Sequence, residues 1–462
     1  MKKIILIIMV LMSLSIFGCK SENAEIPKAP LLMNEHEYKV IPDAEFSDLT
    51  FMVASDFHIL SGELYNEGEA FKKLVESSRG QMQYQGIEIL DEFTRNVINE
   101  KPDFLMLTGD LTLNGEKQSH LDFAEKLNEI EEAGIDVYVL PGNHDINNVY
   151  ARSYFDDKQK VVDYVSFIEF SSIYGEFGLK ESIMMDKETF SYVAEVSDNV
   201  WLLMIDSNIY NDNVTLRYPE SGGKLKTRQA EWFDKVIKEA EKQDKRVILG
   251  MHHNMLPHAD VDPFYLSDFM IAGSNSGMPE YLASKNISVV FSGHIHTHDI
   301  AGKRYEDNFL YDITTGSLMV YPHNYRICKL SKNADLEIST KNITELEGDY
   351  KGGIGFYEFS KEQAYDISNR GFFKPEGVSK KDAEKMSAFG NKVANAYFEG
   401  TDNKILEDKK NKEAYRLWQL QAEKGADRRA DMILGMSIDT EPVDREIRIN
   451  LNTGFWEKII ED

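Results

Sequence analysis

The chain has 462 residues, enough for two or three domains with one large core, and 42% hydrophobic against 28% charged residues excludes disorder as its ordinary state. A formal charge of −26 excludes a dedicated binder of DNA or RNA, because a polyanion is repelled at long range. A small phosphate ester is still admitted wherever metal ions make a site locally positive.

In chain order, the first element is a secretion signal. Lys2 and Lys3 supply a positive start, residues 4–17 form an apolar stretch broken only by Ser13 and Ser15, and the segment closes on Ile16-Phe17-Gly18-Cys19. Such a stretch is short for a membrane span and suits the hydrophobic part of a signal peptide. A small residue before a Cys resembles the bacterial lipoprotein signal, in which cleavage leaves Cys19 as the lipidated N-terminus. Residues 1–19 therefore predict an exported protein at the bacterial cell surface, held to the membrane by its N-terminal lipid alone. The only other cysteine is Cys328, so acylation of Cys19 leaves no disulfide within the chain. Cys328 lies in an alternating segment and is expected to be a half-buried structural thiol.

Residues 20–47 read as a tether, with Pro27, Pro30 and Pro42 and little periodic pattern. Short apolar runs then recur at 49–54, 104–108, 137–140, 200–205, 246–250 and 287–291, each the length of a buried strand. Amphipathic helical stretches lie between them. Residues 87–100 align Ile87, Leu90, Phe93 and Val97, residues 116–133 align Phe123, Leu127 and Ile130, and residues 228–243 align Trp232, Val236 and Ala240. This alternation predicts a layered α/β domain. An insertion over 147–195 carries Tyr150, Tyr154, Phe155, Tyr164, Phe167, Phe170 and Tyr174, which are expected to be core rings for the most part and cover for a site. Alternation over 309–343 predicts antiparallel strands that complete a sheet, and beyond Glu347 the texture turns helical at 361–369, 380–398 and 411–424. The chain thus divides into a layered domain over 48–345 and a helical C-terminal domain over 346–462.

Residue types that ligate metals gather where the predicted strands end. They are Asp56-Phe57-His58, Gly109-Asp110, Gly142-Asn143-His144-Asp145, His252-His253 and Gly293-His294-Ile295-His296. In open α/β sheets ligands bind beyond the carboxyl ends of the strands, so these distant loops can meet. Asp-x-His and His-x-His place alternate side chains on one side of an extended segment. Carboxylate with imidazole suits Zn, Fe and Mn, whereas a Ca or Mg cage is mainly oxygen. Asp110 has two carboxylate oxygens and can bridge two ions. A lone His after a strand is usually a surface or hydrogen-bonded residue; the joint pattern carries the reading.

In this order the motifs D-x-H, G-D, G-N-H-D, H-H and G-H-x-H resemble the calcineurin-like metallophosphoesterase superfamily, over roughly residues 49–320. The resemblance implies a four-layer αββα sandwich carrying two divalent metal ions, Mn, Fe or Zn. It implies that Asp56, His58, Asp110 and His296 hold one ion, and that Asp110 bridges to a second held by Asn143, His252 and His294. His252 directly follows its predicted strand and fits the family ligand better than His253, which would stand behind it. The implied reaction is attack of a metal-bridging hydroxide on phosphorus. His144 would protonate the leaving oxygen or stabilise its charge, and Asp145 would orient the His144 ring.

Two departures narrow the subgroup. Purple acid phosphatases have a Tyr three residues after the Asp of G-D, where this chain has Leu113. Phosphoprotein phosphatases have G-D-x-V-D-R-G, and Asn114 stands here in place of its Arg. The chain is more similar to the class III cyclic-nucleotide phosphodiesterase group, whose exported lipoproteins carry a helical region after the catalytic domain. The expected substrate is thus a small phosphodiester such as a cyclic nucleotide, with no nucleic-acid polymer as partner. Rival readings are a phosphomonoesterase or nucleotidase with the same centre, and a surface-anchored binding lipoprotein with a degenerate site. Of the remaining histidines, His298 is expected to be solvated or to stand behind the ligands, and His258 and His323 could line a substrate pocket.

Overall fold

A computed structural model describes residues 46–460 apart from 79, 260–276, 348–349, 351–352, 370–374, 376, 426–427 and 439–440. The expected leader over 1–19 with Cys19, and the tether up to residue 45, lie outside the described residues. Phe46 is buried against the sandwich and its amide donates to the Lys332 carbonyl, so by that point the chain is core and no longer tether.

The first apolar runs become β1 (Leu49–Ala54), β2 (Phe104–Leu107) and β3 (Asp136–Val139). The insertion supplies β4 (Arg152–Phe155), β5 (Lys158–Val161), β6 (Met184–Met185) and β7 (Tyr192–Ser197). The middle of the chain adds β8 (Val200–Ile205), β9 (Arg246–Met251), β10 (Val289–Ser292), β11 (Asp299–Tyr305) and β12 (Asn308–Thr314). Last come β13 (Asn324–Leu330), β14 (Asp335–Asn342), β15 (Ile447–Asn450) and β16 (Trp456–Lys458). Two seven-stranded sheets result, in the orders β16-β15-β14-β13-β1-β2-β3 and β11-β12-β10-β9-β8-β7-β6. β1, β2 and β3 run parallel, as do β8, β9, β10 and β12; helices make the crossovers except between β10 and β12, where the chain returns through the antiparallel β11.

Side chains from both inner faces interlock. Phe51 of β1 stacks on Phe104 of β2 at 4.8 Å between ring centroids and meets Phe291 of β10 edge-on at 5.5 Å. Outside the first sheet lie helices Gly86–Glu100 and Lys117–Glu132, whose Phe93 and Phe123 close on Phe57. Outside the second sheet, helices Thr227–Lys242 and Met278–Ser284 bury Phe233, Val236, Ile237 and Leu282 against Leu203, Leu249 and Val290. The layers are therefore helix, sheet, sheet, helix. Truncating a ring such as Phe51 to Ala would cost about 3–5 kcal/mol, since nothing could refill the space between the sheets.

Within the insertion, Tyr154, Phe170 and Tyr174 are core as expected, but Phe155 is exposed on the β4–β5 hairpin. Cys328 is fully buried, not half-buried, because β13 lies between β1 and β14; burial pushes its thiol up to about 12. After β14 come helices Phe356–Asn369, Lys380–Glu399, Lys409–Ala422 and Arg428–Met436, with a core of their own around Met386, Phe389, Trp418 and Ile433. A purely helical 346–462 needs correction: the chain returns to add β15 and β16 to the first sheet. The local signal is period-two, with Ile447 and Ile449 fully buried while Arg448 pairs outside with Glu337 and Glu457. No described helix is long and apolar enough to cross a membrane.

Candidate metal centre

β1, β2 and β3 of one sheet and β9 and β10 of the other end at the same edge of the sandwich, and the five motifs occupy the loops that leave them. Backbone bonds knit these loops together: Asp56 N donates to Gly109 O, His58 N to Asp110 O, and Gly293 N to His252 O, each at 3.0 Å. The chain approaches itself so closely that a Cβ at Gly142 would collide with Asp110 Oδ1, and one at Gly293 with Ser55 Oγ. These two glycines are required by space.

Donor atoms of Asp56, His58, Asp110 and His296 lie within 4.8 Å of one another, and those of Asp110, His252 and His294 form a second such group. Asp110 belongs to both. His58 Nε2 and His296 Nε2 face each other at 2.8 Å, and Asp56 Oδ1 lies 3.4 Å from the latter. On the other side His252 Nε2 lies 3.4 Å from Asp110 Oδ2, 3.1 Å from Asn143 Oδ1 and 3.2 Å from His294 Nδ1. Asp56 Oδ1 is buried with no hydrogen-bond donor among the described residues. A buried carboxylate oxygen left bare beside imidazole nitrogens that converge on it is the arrangement a cation would complete. The His/Asp cluster is suited to two metal ions.

The local backbone differs from the extended segments expected. Asp56, His58, Asp110, His294 and His296 all adopt left-handed φ, from 44° at His58 to 70° at His294. Each such residue costs on the order of 1–2 kcal/mol, held in place by the surrounding packing. Left-handed turns, not strand alternation, bring both members of Asp-x-His and of His-x-His into one space.

Electrostatics separate the two groups. Burial works against ionising Asp110, yet His252 and His144 hold its carboxyl well below the usual carboxylate range. Burial likewise opposes Asp56, and His296 keeps it below its ordinary value. Burial pushes His58 down to about 3, whereas at His252 it is overridden by Asp110, which lifts the ring to about 9. His252 is held by a bond from Nδ1 to the Thr108 carbonyl, 2.7 Å. His253 turns away: its ring reaches Ser207 Oγ at 2.7 Å and Ser221 O at 3.1 Å, so of the adjacent pair only His252 points at Asp110 and Asn143.

His144 is half-buried at the edge of this cluster, its ring centroid 4.8 Å from that of His58. Its Nδ1 lies 2.6 Å from the Leu113 carbonyl, which can only accept, so Nδ1 carries a proton and Nε2 is the free end. The expectation that Asp145 orients this ring is corrected. The Asp145 carboxylate accepts from the amides of Leu111, Thr112 and Gly142 and from Thr112 Oγ1, at 2.7–3.1 Å, tying the Asp110 loop to the Asn143 loop. Burial and the Asp110 charge push its carboxyl up to about 6 against those donors. It positions loops and does not touch His144.

Among the described residues, the remaining histidines are buried and internally bonded. His298 takes the Gly316 amide and meets Thr340, His323 faces the Leu318 carbonyl, and His258 sits between Asp299 and Asp312. His258 and His323 are thus both buried and turned to partners within the fold. One strand-end signal went unread: β8 also ends in a polar run, Asp206-Ser207-Asn208. Asn208 donates to the Pro141 carbonyl at 2.7 Å, and Ser207 holds His253, so this loop braces the Asn143 and His252 loops.

A family model described as calcineurin-like phosphoesterase matches residues 49–298. No curated protein matches the chain. Among solved structures the chain is similar to a dimetal phosphatase from Danio rerio, at 14% identity over 64% of this chain and 96% of that one, with a TM-score of 0.43. It is also similar to a purple acid phosphatase from yellow lupin (Lupinus luteus) seeds, at 12% identity over 65% of this chain and 52% of that one, TM-score 0.40.

Proposed function

The chain belongs to the calcineurin-like phosphoesterase family, and on that footing we propose that it is a two-metal phosphodiesterase acting on small phosphate diesters, cyclic nucleotides among them. The observation that carries the reading is the pair of donor groups sharing Asp110. The mixture of imidazole and carboxylate favours Mn, Fe or Zn. Asp56, His58, Asp110 and His296 would hold one ion, and Asp110, Asn143, His252 and His294 the other. Two such ions, when bound, would supply Lewis acidity to activate water and offset phosphoryl charge.

The protein's own groups do the rest. His144 and His296 are the half-buried members of the cluster, so substrate enters from their side. The imidazolium of His144 keeps its Nδ1 bond to Leu113 O while Nε2–H faces the leaving oxygen and protonates it. Preference for a diester is supported by Leu113 and Asn114, which depart from the phosphatase groups named above, and the charge of −26 argues for small substrates over polymers. Export and anchoring through a lipid on Cys19 belong to the same reading and rest on the leader pattern.

The test is metal analysis of the purified protein joined to hydrolysis of bis-p-nitrophenyl phosphate, p-nitrophenyl phosphate and cyclic nucleotides. Two ions per chain and faster diester turnover are expected. Turnover of monoesters alone would overturn the diester preference, and a metal-loaded protein inert on every ester would favour the binding-protein reading. Membrane fractionation of Cys19→Ala checks the anchor: release into the soluble fraction is expected, and retention rejects it.

A further inference from the structure

The last turn of any helix leaves carbonyls without partners inside the helix. In Lys380–Glu399, Ala396 O is taken by the amides of Gly400 and Thr401, at the left-handed end on Gly400. The next three carbonyls receive side chains of the sandwich and its return segment. Thr297 Oγ1 donates to Tyr397 O at 2.5 Å, Asn324 Nδ2 to Phe398 O at 3.0 Å, and Arg445 Nη1 to Glu399 O at 2.6 Å. Thr297 is fully buried and lies between His296 and His298. Gly400, at φ 66°, packs so tightly that a Cβ there would collide with the His298 carbonyl.

The helical unit therefore grips the loop that carries His296, at the residue next to it. We infer that the end of helix Lys380–Glu399 is a clamp for one half of the metal centre and that Thr297 is its positioning residue. The inference rests on the reading of the cluster as a metal centre. His252 is held instead by the Thr108 carbonyl, and the His294 amide by Asp56 Oδ2, both within the sandwich. The left-handed backbone of His296, at φ 59°, needs such an outside hold to keep its ring on Asp56 and His58. The carbonyl end of the helix also carries partial negative charge, which favours a cation nearby.

The experiment is Mn²⁺ titration of the full chain, followed by calorimetry and by the electron paramagnetic resonance signal of a coupled ion pair. Wild type, Thr297→Val, Thr297→Ser and Gly400→Ala are compared. Thr297→Val is expected to bind one Mn²⁺ about tenfold more weakly with the other unchanged, the range found when a partner behind a ligand is removed. Thr297→Ser, which keeps the hydroxyl, should restore wild-type binding. Wild-type titration by Thr297→Val, equal loss of both ions, or failure of Thr297→Ser to rescue would each overturn the clamp. If Thr297→Val does not fold, Gly400→Ala reads the same loop from the other side: selective loss of one ion is expected, and unchanged binding overturns the inference. Failure of wild type to take up Mn²⁺ would instead sink the metal-centre reading, and is visible before any variant is compared.

Discussion

His252 and His296 stand on opposite sides of Asp110, and what holds each of them differs. His252 is fully buried and bonded to the Thr108 carbonyl, inside the sandwich that the family model covers. His296 is half-buried, and the residue beside it is bonded to a helix far downstream in the chain (Thr297 to Tyr397 spans 100 positions). The two halves differ electrostatically too: Asp110 lifts His252 above its ordinary value, while burial pushes His58 below its own. Two halves made of the same residue types can thus be rigid for different reasons, and they should come apart under different insults.

The largest expected effect comes from removing what they share. Asp110→Ala should abolish uptake of both ions and lower turnover on the order of a thousandfold; a variant that still binds one ion tightly would show that the halves are independent. His144→Ala should lower turnover about a hundredfold or more while metal content stays at two ions. Loss of metal in that variant would move His144 from proton transfer to ligand support.

Proton release sharpens the comparison further. His252 has a folded value of about 9, above the ordinary 6.5, so its contribution to the metal-free protein is whole below pH 6.5 and lost as pH climbs through 9. His258, raised to about 9 between its two carboxylates, adds in the same direction. For each ring the change is on the order of 3 kcal/mol. Metal-free protein should therefore melt lower at pH 9 than at pH 6.5, and uptake of ions should rise over that window. Calorimetry at pH 7 in two buffers of different ionisation enthalpy should count about one proton released, from the His252 half, because His58 at about 3 has none to give. Release of no proton would show that the halves are electrostatically alike.

The smallest effect is expected at the tie between loops. Asp145→Asn leaves fewer acceptor sites for the amides of Leu111, Thr112 and Gly142, and should destabilise by about 2 kcal/mol in denaturant unfolding. Turnover per bound ion pair should fall only modestly, since Asp145 does not reach His144. A collapse of turnover with stability intact would restore it to the chemistry.

Much of this was readable in the residues. The six apolar runs and three amphipathic stretches fell where strands and helices stand, because buried parallel strands demand unbroken Val, Ile, Leu and Met and their crossovers demand a single apolar stripe. The ligand types were also legible, since strand ends are where Asp56, Asp110, Asn143, His252 and His294 had to be placed to meet. What could not be read was set by space and not by pattern. Left-handed φ at Asp56, His58, Asp110, His294 and His296 leaves no periodic trace. Asp145 follows His144 in the chain but turns to backbone amides, and Thr297 is an ordinary residue until Tyr397 arrives beside it. The strand at Ile447–Asn450 was hidden by brevity, two isoleucines in a charged stretch.

β15 gives a further consequence, for the timing of synthesis. It zips onto β14 from about a hundred residues further along the chain, and Asp444 just before it accepts from the Ile300 amide while Arg326 donates to the Asp444 carbonyl. The ribosome must make that whole stretch before those bonds can form. Until then β14 is a bare edge open to pairing with another nascent chain. Any product cut short after residue 345 should be a target for proteolysis or clumping rather than a smaller working enzyme.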